Sequence, residues 1–404
     1  MSALHCGQEG EEQIVFSLLL AIIYIAFISL GLPDSLLGSA WPLMVGELEV
    51  PLSYAGIITM TISAGTIVSS LLSDKLTRRL GAGLVTAISV SLTAGALLGF
   101  SLTNSFWLLC VLAVPYGLGA GAVDAALNNY VALHYASRHM SWLHCFWGVG
   151  ATVGPYIMGW AISADHGWRS GYGIVSVIQI VLAVCLFLTL PLWRKANSGS
   201  ADEENYEAPI GLGGALKIKG VKAILIAFFG YCAFESTAGL WASSYLVEYR
   251  RVDAETAAFF ASLFYLGITA GRFLSGFVAD RFGDKNMIRI GVGLMCCGVV
   301  LVALPVKVVG TALAGLVVLG VGAAPVYPSV IHSTPTHFGK ENSHAIVGIQ
   351  MASAYCGSTF MPPLFGLIAQ HINIVLYPYF MAIFVLLLAV MTERVNKICE
   401  EVRK

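Results

Sequence analysis

Charge is what this chain lacks most against the usual composition. Lys, Arg, Asp and Glu make up 11% of its 404 residues, where soluble domains carry about 25%, while 57% are hydrophobic and the mean hydropathy is +0.79. That shortage excludes an ordinary water-soluble enzyme and reads as a polytopic membrane protein. Neither sign of charge dominates. The net charge of −1 is scattered over short loops, so there is no basic patch for nucleic acid and no acidic surface for a basic partner. The nine cysteines show no CxxC and no His/Cys ligand spacing; they predict free thiols buried in apolar segments, with no metal and no cofactor. Basic residues are also missing before the first apolar run, where residues 1–13 carry three glutamates, so a cleaved signal peptide is not indicated and the run is expected to persist as a span.

What fills the chain instead is a series of apolar runs long enough to cross about 30 Å of hydrocarbon. They predict twelve helices near 15–43, 53–73, 83–102, 106–134, 141–163, 169–192, 221–247, 256–279, 287–304, 309–335, 343–370 and 373–391. The long polar interruption falls in the middle, with the acidic run Asp202, Glu203 and Glu204 and the loop-formers Pro209, Gly211, Gly213 and Gly214. This sets an all-α membrane protein with a six-helix bundle at 1–193, a cytoplasmic linker at 194–220 and a second six-helix bundle at 221–404. With both termini inside, all but five of the 22 Lys and Arg lie on the cytoplasmic side; the exceptions are Arg169, Arg250, Arg251 and Lys307 outside, and Arg272 within a span. That bias predicts a multi-pass protein of the plasma membrane with both ends in the cytoplasm.

The halves repeat. A shift of 206 residues lays Ser63–Lys75 over Thr269–Arg281, matching Gly65 with Gly271, Ser69 with Ser275 and Asp74 with Asp280. A shift of 207 lays Gly150–Gly159 over Gly357–Gly366, matching Gly150, Thr152, Pro155 and Gly159 with Gly357, Thr359, Pro362 and Gly366. Two nearly equal offsets, each about half the chain, indicate a duplicated six-helix unit, and in such proteins the substrate site lies near the midplane between the repeats.

Carboxylates inside spans are expensive and mark candidate function. Asp124 and Asn128 stand one turn apart among small residues Gly117, Gly121 and Ala125, and Asp124 is the first choice for a proton carrier. Asp34 follows Pro33 and shares a helix face with Gly38 and Trp41, an acid beside an indole that suits a sugar. Glu235 shares its face with Tyr231, Ala238, Ala242 and Tyr245. His144, on a face with Gly148, Ala151 and Pro155, titrates near neutrality and is a candidate proton relay. Gln350, near Ser353 and Ala354, is a candidate hydroxyl ligand. For each of these the plain alternative is a structural hydrogen-bond partner between helices. His332 and His337, near the end of the tenth span, take no role from the sequence.

The loops after the second and eighth spans carry a resemblance. GFVADRFGDK, with Gly276, Asp280, Arg281, Gly283 and Lys285, is close to the major facilitator superfamily loop motif G-x-x-x-D-R/K-x-G-R/K-R/K, with Asp284 at a normally basic position. SSLLSDKLTRR keeps Asp74, Lys75, Arg78 and Arg79 but has Ser70 and Thr77 in place of the glycines. The chain as a whole resembles transporters of that superfamily, and the stretches Gly31–Pro42, Leu118–Val131, Leu143–Pro155, Gly230–Leu246 and Ala324–Ile331 resemble the fucose permease group of sugar/proton symporters. The resemblance implies a gate latch in which Asp74 or Asp280 bonds a neighbouring helix end in one state and releases it in the other. It implies sugar binding and proton coupling for Asp34 and Asp124. It also puts His144 and Trp147 where that group has amides, and Asp124 where it has Glu.

The sequence therefore reads as a monomeric, non-enzymatic secondary transporter in the lipid bilayer, a proton-coupled sugar symporter working by alternating access. Proton coupling falls to Asp124, Asp34 and His144. Substrate binding falls to Asp34, Trp41, Asn128, His144, Trp147, Tyr231, Glu235 and Gln350. The alternatives are a proton-coupled exporter of an amphipathic metabolite or drug, and sodium in place of the proton.

Overall fold

The computed structural model describes residues 2–34, 36–51, 54–164, 166–198, 210–252, 254–305 and 309–403, and among these the secondary structure is helical with no strand. The acidic run 202–204 and Pro209 lie outside the described residues. The first span is α1 (Ser2–Gly31) and α2 (Leu36–Leu48), parted where Pro33 withholds an N–H and the backbone turns through Asp34. Then come α3 (Ala55–Leu80), α4 (Ala82–Leu102), α5 (Phe106–His134), α6 (Ser137–Ser163) and α7 (Gly167–Leu188). Two short helices follow in the stretch expected to be linker, α8 (Leu190–Ser198) and α9 (Gly211–Ala215). The second half runs through α10 (Val221–Glu248), α11 (Ala254–Ala303), α12 (Val309–Ala323), α13 (Val326–His332), α14 (Thr334–Phe338), α15 (Lys340–His371) and α16 (Tyr377–Arg403).

These are the twelve expected crossings. Helix α11 holds two of them, separated at Gly283 (φ 73°, ψ 158°), and α12 with α13 makes one across Pro325. Nine described helices are long and apolar enough to span by length and composition, with the two crossings of α11 counted as one. Helices α6 and α15 have the length, at 27 and 32 residues, but open on polar stretches, Ser137–His139 and Lys340–His344. Exposed large apolar side chains such as Leu102, Trp107, Val111, Val181, Leu188, Leu274 and Leu386 coat the helix surfaces, as lipid contact demands. The eight cysteines whose side chains are described are free as expected, but only Cys232 and Cys399 are buried; Cys110, Cys145, Cys296 and Cys356 are half-buried and Cys185 and Cys297 exposed.

By contacts the chain forms two compact units, one of residues 1–127 and 146–209 and the other of 128–145 and 210–404. In the first, Leu36, Met44, Phe100, Phe106, Met158 and Trp168 build an apolar core. Oil gives helices no hydrophobic reason to associate, so small residues and hydrogen bonds bring them together. Ser70 Oγ donates to Gly121 O at 3.2 Å and Ser73 Oγ to Ala122 O at 3.4 Å, joining α3 to α5. In the second unit Tyr231 donates to Ala323 O (3.0 Å), Tyr245 to Val302 O (3.0 Å) and Tyr377 to Ala238 O (2.8 Å).

The matched glycines explain the repeat. A methyl at Gly150 would collide with the Ile28 carbonyl of α1, and one at Gly357 with the Phe229 carbonyl of α10. Gly65 lies against the Gly117–Leu118 backbone of α5, and Gly271 against Val321 and Ala324 in the middle of the tenth crossing, beside Pro325. Each unit thus preserves the same two close helix contacts.

Candidate functional site

In the first unit the break after α1 leaves Asp34 exposed, and the indole Nε1 of Trp147 on α6 donates to its Oδ2 at 3.0 Å. Asp124 on α5 is 4% exposed. The carboxyl of Asp34 is within electrostatic reach of Asp124 and of the Tyr116 hydroxyl. Trp41, expected beside Asp34, is 5% exposed and packs in the apolar core with Met44 and Trp168; the indole that meets the acid is Trp147. Nearby runs a polar chain that the sequence reading overlooked. Thr93 Oγ1 donates to Gln179 Oε1 at 2.8 Å, and Gln179 Nε2 donates to Ser29 O at 2.8 Å.

The second unit carries its own cluster. His144 Nε2 donates to Asn128 Oδ1 at 3.0 Å, and both side chains are buried. The His144 ring meets Tyr327 edge to face with centroids 4.5 Å apart, and Phe228 and Tyr231 flank Tyr327 at 4.7 and 5.9 Å. Arg272, 4% exposed, places Nη2 3.3 Å from Glu235 Oε1 and its guanidinium 5.8 Å from the Tyr327 ring centre. A buried guanidinium persists only where a carboxylate and an aromatic face replace its water. Sequence reasoning used Arg272 for topology alone and met Tyr327 within the stretch Ala324–Ile331 that carries the family resemblance. The missed signal was plain: an arginine inside a span is itself a candidate site. Gln350 is fully buried, its Oε1 accepts from Thr334 Oγ1 at 2.9 Å, and its Nε2 has no hydrogen-bond partner among the described residues.

The loop motif of the eighth and ninth crossings holds the segment 128–145, formed by the end of α5 and the start of α6. Gly276 makes room for the Trp142 indole, whose Nε1 donates to Phe273 O at 3.3 Å. Asp280 accepts from the Arg138 backbone N–H at 3.1 Å, in the first turn of α6, and lies 3.4 Å from the Arg138 side chain. That places a carboxylate on unpaired N–H groups at the positive end of a helix. Lys285 pairs with Glu400 at 2.7 Å, and Arg281 is exposed. In the first unit Asp74 is buried and accepts from Arg78 Nε at 2.7 Å, along its own helix, while Lys75 and Arg79 are exposed. Where Thr77 replaces the motif glycine, α3 continues and the turn falls at Gly81 (φ 78°, ψ 154°).

Comparison with known proteins agrees with this architecture. The family model described as the Major Facilitator Superfamily matches residues 23–260 and 223–396. "Bypass of stop codon protein 6" of Saccharomyces cerevisiae is 22% identical over 386 residues, covering 88% of this chain and 77% of that protein. The hexuronate transporter of Bacillus subtilis is 25% identical over 287 residues, 66% of each chain. Among solved structures, the E. coli fucose:proton symporter FucP superposes with a TM-score of 0.73 at 18% identity, covering 95% of this chain and 98% of the other, a likeness of fold.

Proposed function

The chain belongs to the major facilitator superfamily of transporters, and on that premise we propose that it is a proton-coupled symporter of a sugar, working by alternating access in the plasma membrane. The observation that carries this reading is the acid pair of the first unit, Asp34 at a helix break and Asp124 buried within its electrostatic reach. Two carboxylates within electrostatic reach of each other, one of them buried, can take up one proton and give it back, because binding it relieves their repulsion. Asp124 is the carrier. Asp34, open to its surroundings and held by the Trp147 indole, offers a sugar an acceptor for its hydroxyls and an aromatic neighbour for its C–H face. The fold shared with a fucose:proton symporter supports the same reading.

A second reading narrows the solute to an acid sugar. Its motive is Arg272, a buried cation facing Glu235 and Tyr327, to which a substrate carboxylate could bind in two-pronged fashion. The hexuronate transporter among the relatives fits that choice.

The test is uptake by reconstituted vesicles under an imposed pH or sodium gradient, with labelled hexoses, deoxyhexoses and hexuronates. A pH gradient alone is expected to drive accumulation. Asp124→Asn is expected to abolish accumulation while leaving exchange of solute across the vesicle wall. Accumulation driven by sodium alone, or an Asp124→Asn protein that still concentrates solute, would overturn the coupling assignment.

A further inference from the structure

Asp284 occupies a position of the loop motif where a basic residue is usual, and the structure shows what the acid does there. Its Oδ1 accepts from Ser137 Oγ at 2.6 Å and its Oδ2 lies 2.7 Å from His332 Nδ1. The other ring nitrogen, Nε2, is 3.0 Å from the backbone carbonyl of Tyr135. Both partners of the imidazole are acceptors, and a neutral imidazole has a single N–H. With the carboxylate ionised, His332 serves both only as the imidazolium.

We propose that His332 is a proton-operated latch that ties the segment 128–145 to α11 and α13, closed when the ring is charged and weakened when it is neutral. Loss of the proton leaves either the Asp284 carboxylate or the Tyr135 carbonyl without its donor. The pair is sheltered, with side-chain exposures of 18% for His332 and 17% for Asp284, so water replaces the missing bond poorly. The charged surroundings hold the cation in place. Asp284 and Asp280 face it from α11, and from the segment itself come Tyr135, through its carbonyl, and Arg138, whose guanidinium is engaged by Asp280. His134, His139 and His144 are the rival titratable groups on the same segment, His139 being the one that accepts from Arg138. The latch sits on the face that the basic loops assign to the cytoplasm, so it reads cytoplasmic pH and does not depend on the identity of the solute.

Hydrogen–deuterium exchange of the backbone amides in 128–145 tests it on the full-length protein in detergent micelles, corrected for the intrinsic pH dependence of exchange. In the wild type, protection is expected to fall about tenfold or more between about pH 6 and about pH 9. His332→Lys, cationic throughout, is expected to stay protected across that range, and His332→Gln to be weakly protected throughout. His139→Gln is expected to keep the wild-type fall. A wild type whose protection is flat, a fall that survives in His332→Lys, or a fall lost in His139→Gln while His332→Gln keeps it, would each overturn the latch. The wild type and His332→Lys together decide the matter, so failure of His332→Gln to fold does not protect the proposal.

Discussion

Trp147 holds Asp34 through a hydrogen bond from its indole N–H, and such bonds contribute on the order of 1–2 kcal/mol. Trp147→Phe keeps the aromatic face and removes the donor, so it is expected to weaken solute binding by about tenfold in a competition assay. Arg272 poses the opposite problem, since removing it strands Glu235. Arg272→Met is expected to lower stability by about 3 kcal/mol, and adding Glu235→Leu to restore most of that, read by thermal unfolding in detergent. If the double variant is no more stable than the single one, the ion pair is not what holds this site. At this scale the sequence was uneven. Asp34 and Asp124 were legible because an acid in oil needs a reason, but the choice of indole was not. Trp41 lies on the right helical face by periodicity, yet the backbone breaks at Pro33 between α1 and α2 and its side chain packs in the core. Arg272 was legible twice over, as a charge in a span and as the residue occupying the register position of Thr66 in the repeat.

Among helices, the repeat in the sequence is a record of contacts. Gly150 and Gly357 match because each lets a helix backbone touch its neighbour. Gly150→Leu and Gly357→Leu are each expected to cost about 1–3 kcal/mol by overpacking, seen as a lowered unfolding temperature. Gly95→Leu, at an exposed position with nothing near its added carbon, is expected to leave that temperature unchanged. The departures from the loop motif also have local causes. Ser70 spends its hydroxyl on Gly121 of α5, whereas its counterpart Gly276 is kept bare by the Trp142 indole. Thr77 cannot take up the left-handed turn that Gly283 makes, so the first half turns one helical turn later, at Gly81. None of this was visible from spacing, because it depends on which helix lies alongside.

For the whole chain, hydropathy placed all twelve crossings, since length and apolarity are set by the bilayer and not by partners. The ends were less legible. Helices α6 and α15 begin three or four residues before the apolar runs that announced them, on polar turns whose side chains bond other helices: Ser137 with Asp284, and Ser343 and His344 with Asn129. Contacts group 128–145 with the C-terminal residues, a division that no linear boundary at 194–220 could express. Orientation gives a direct prediction from the basic bias. A tag fused after Lys404 is expected to be reached by antibody only in permeabilised cells; labelling of intact cells would reverse the assignment.

The glycine contacts bear on mobility as well as on fit. At Gly150 and Gly357 backbone lies directly on backbone, so at those points α6 meets α1 and α15 meets α10 with no side chain between them. Five residues beyond each of these glycines stands a proline, Pro155 or Pro362, which deletes a rung of the helical ladder. Flexure in this protein should therefore concentrate in the fifth and eleventh crossings, where a missing rung follows a point of bare backbone contact.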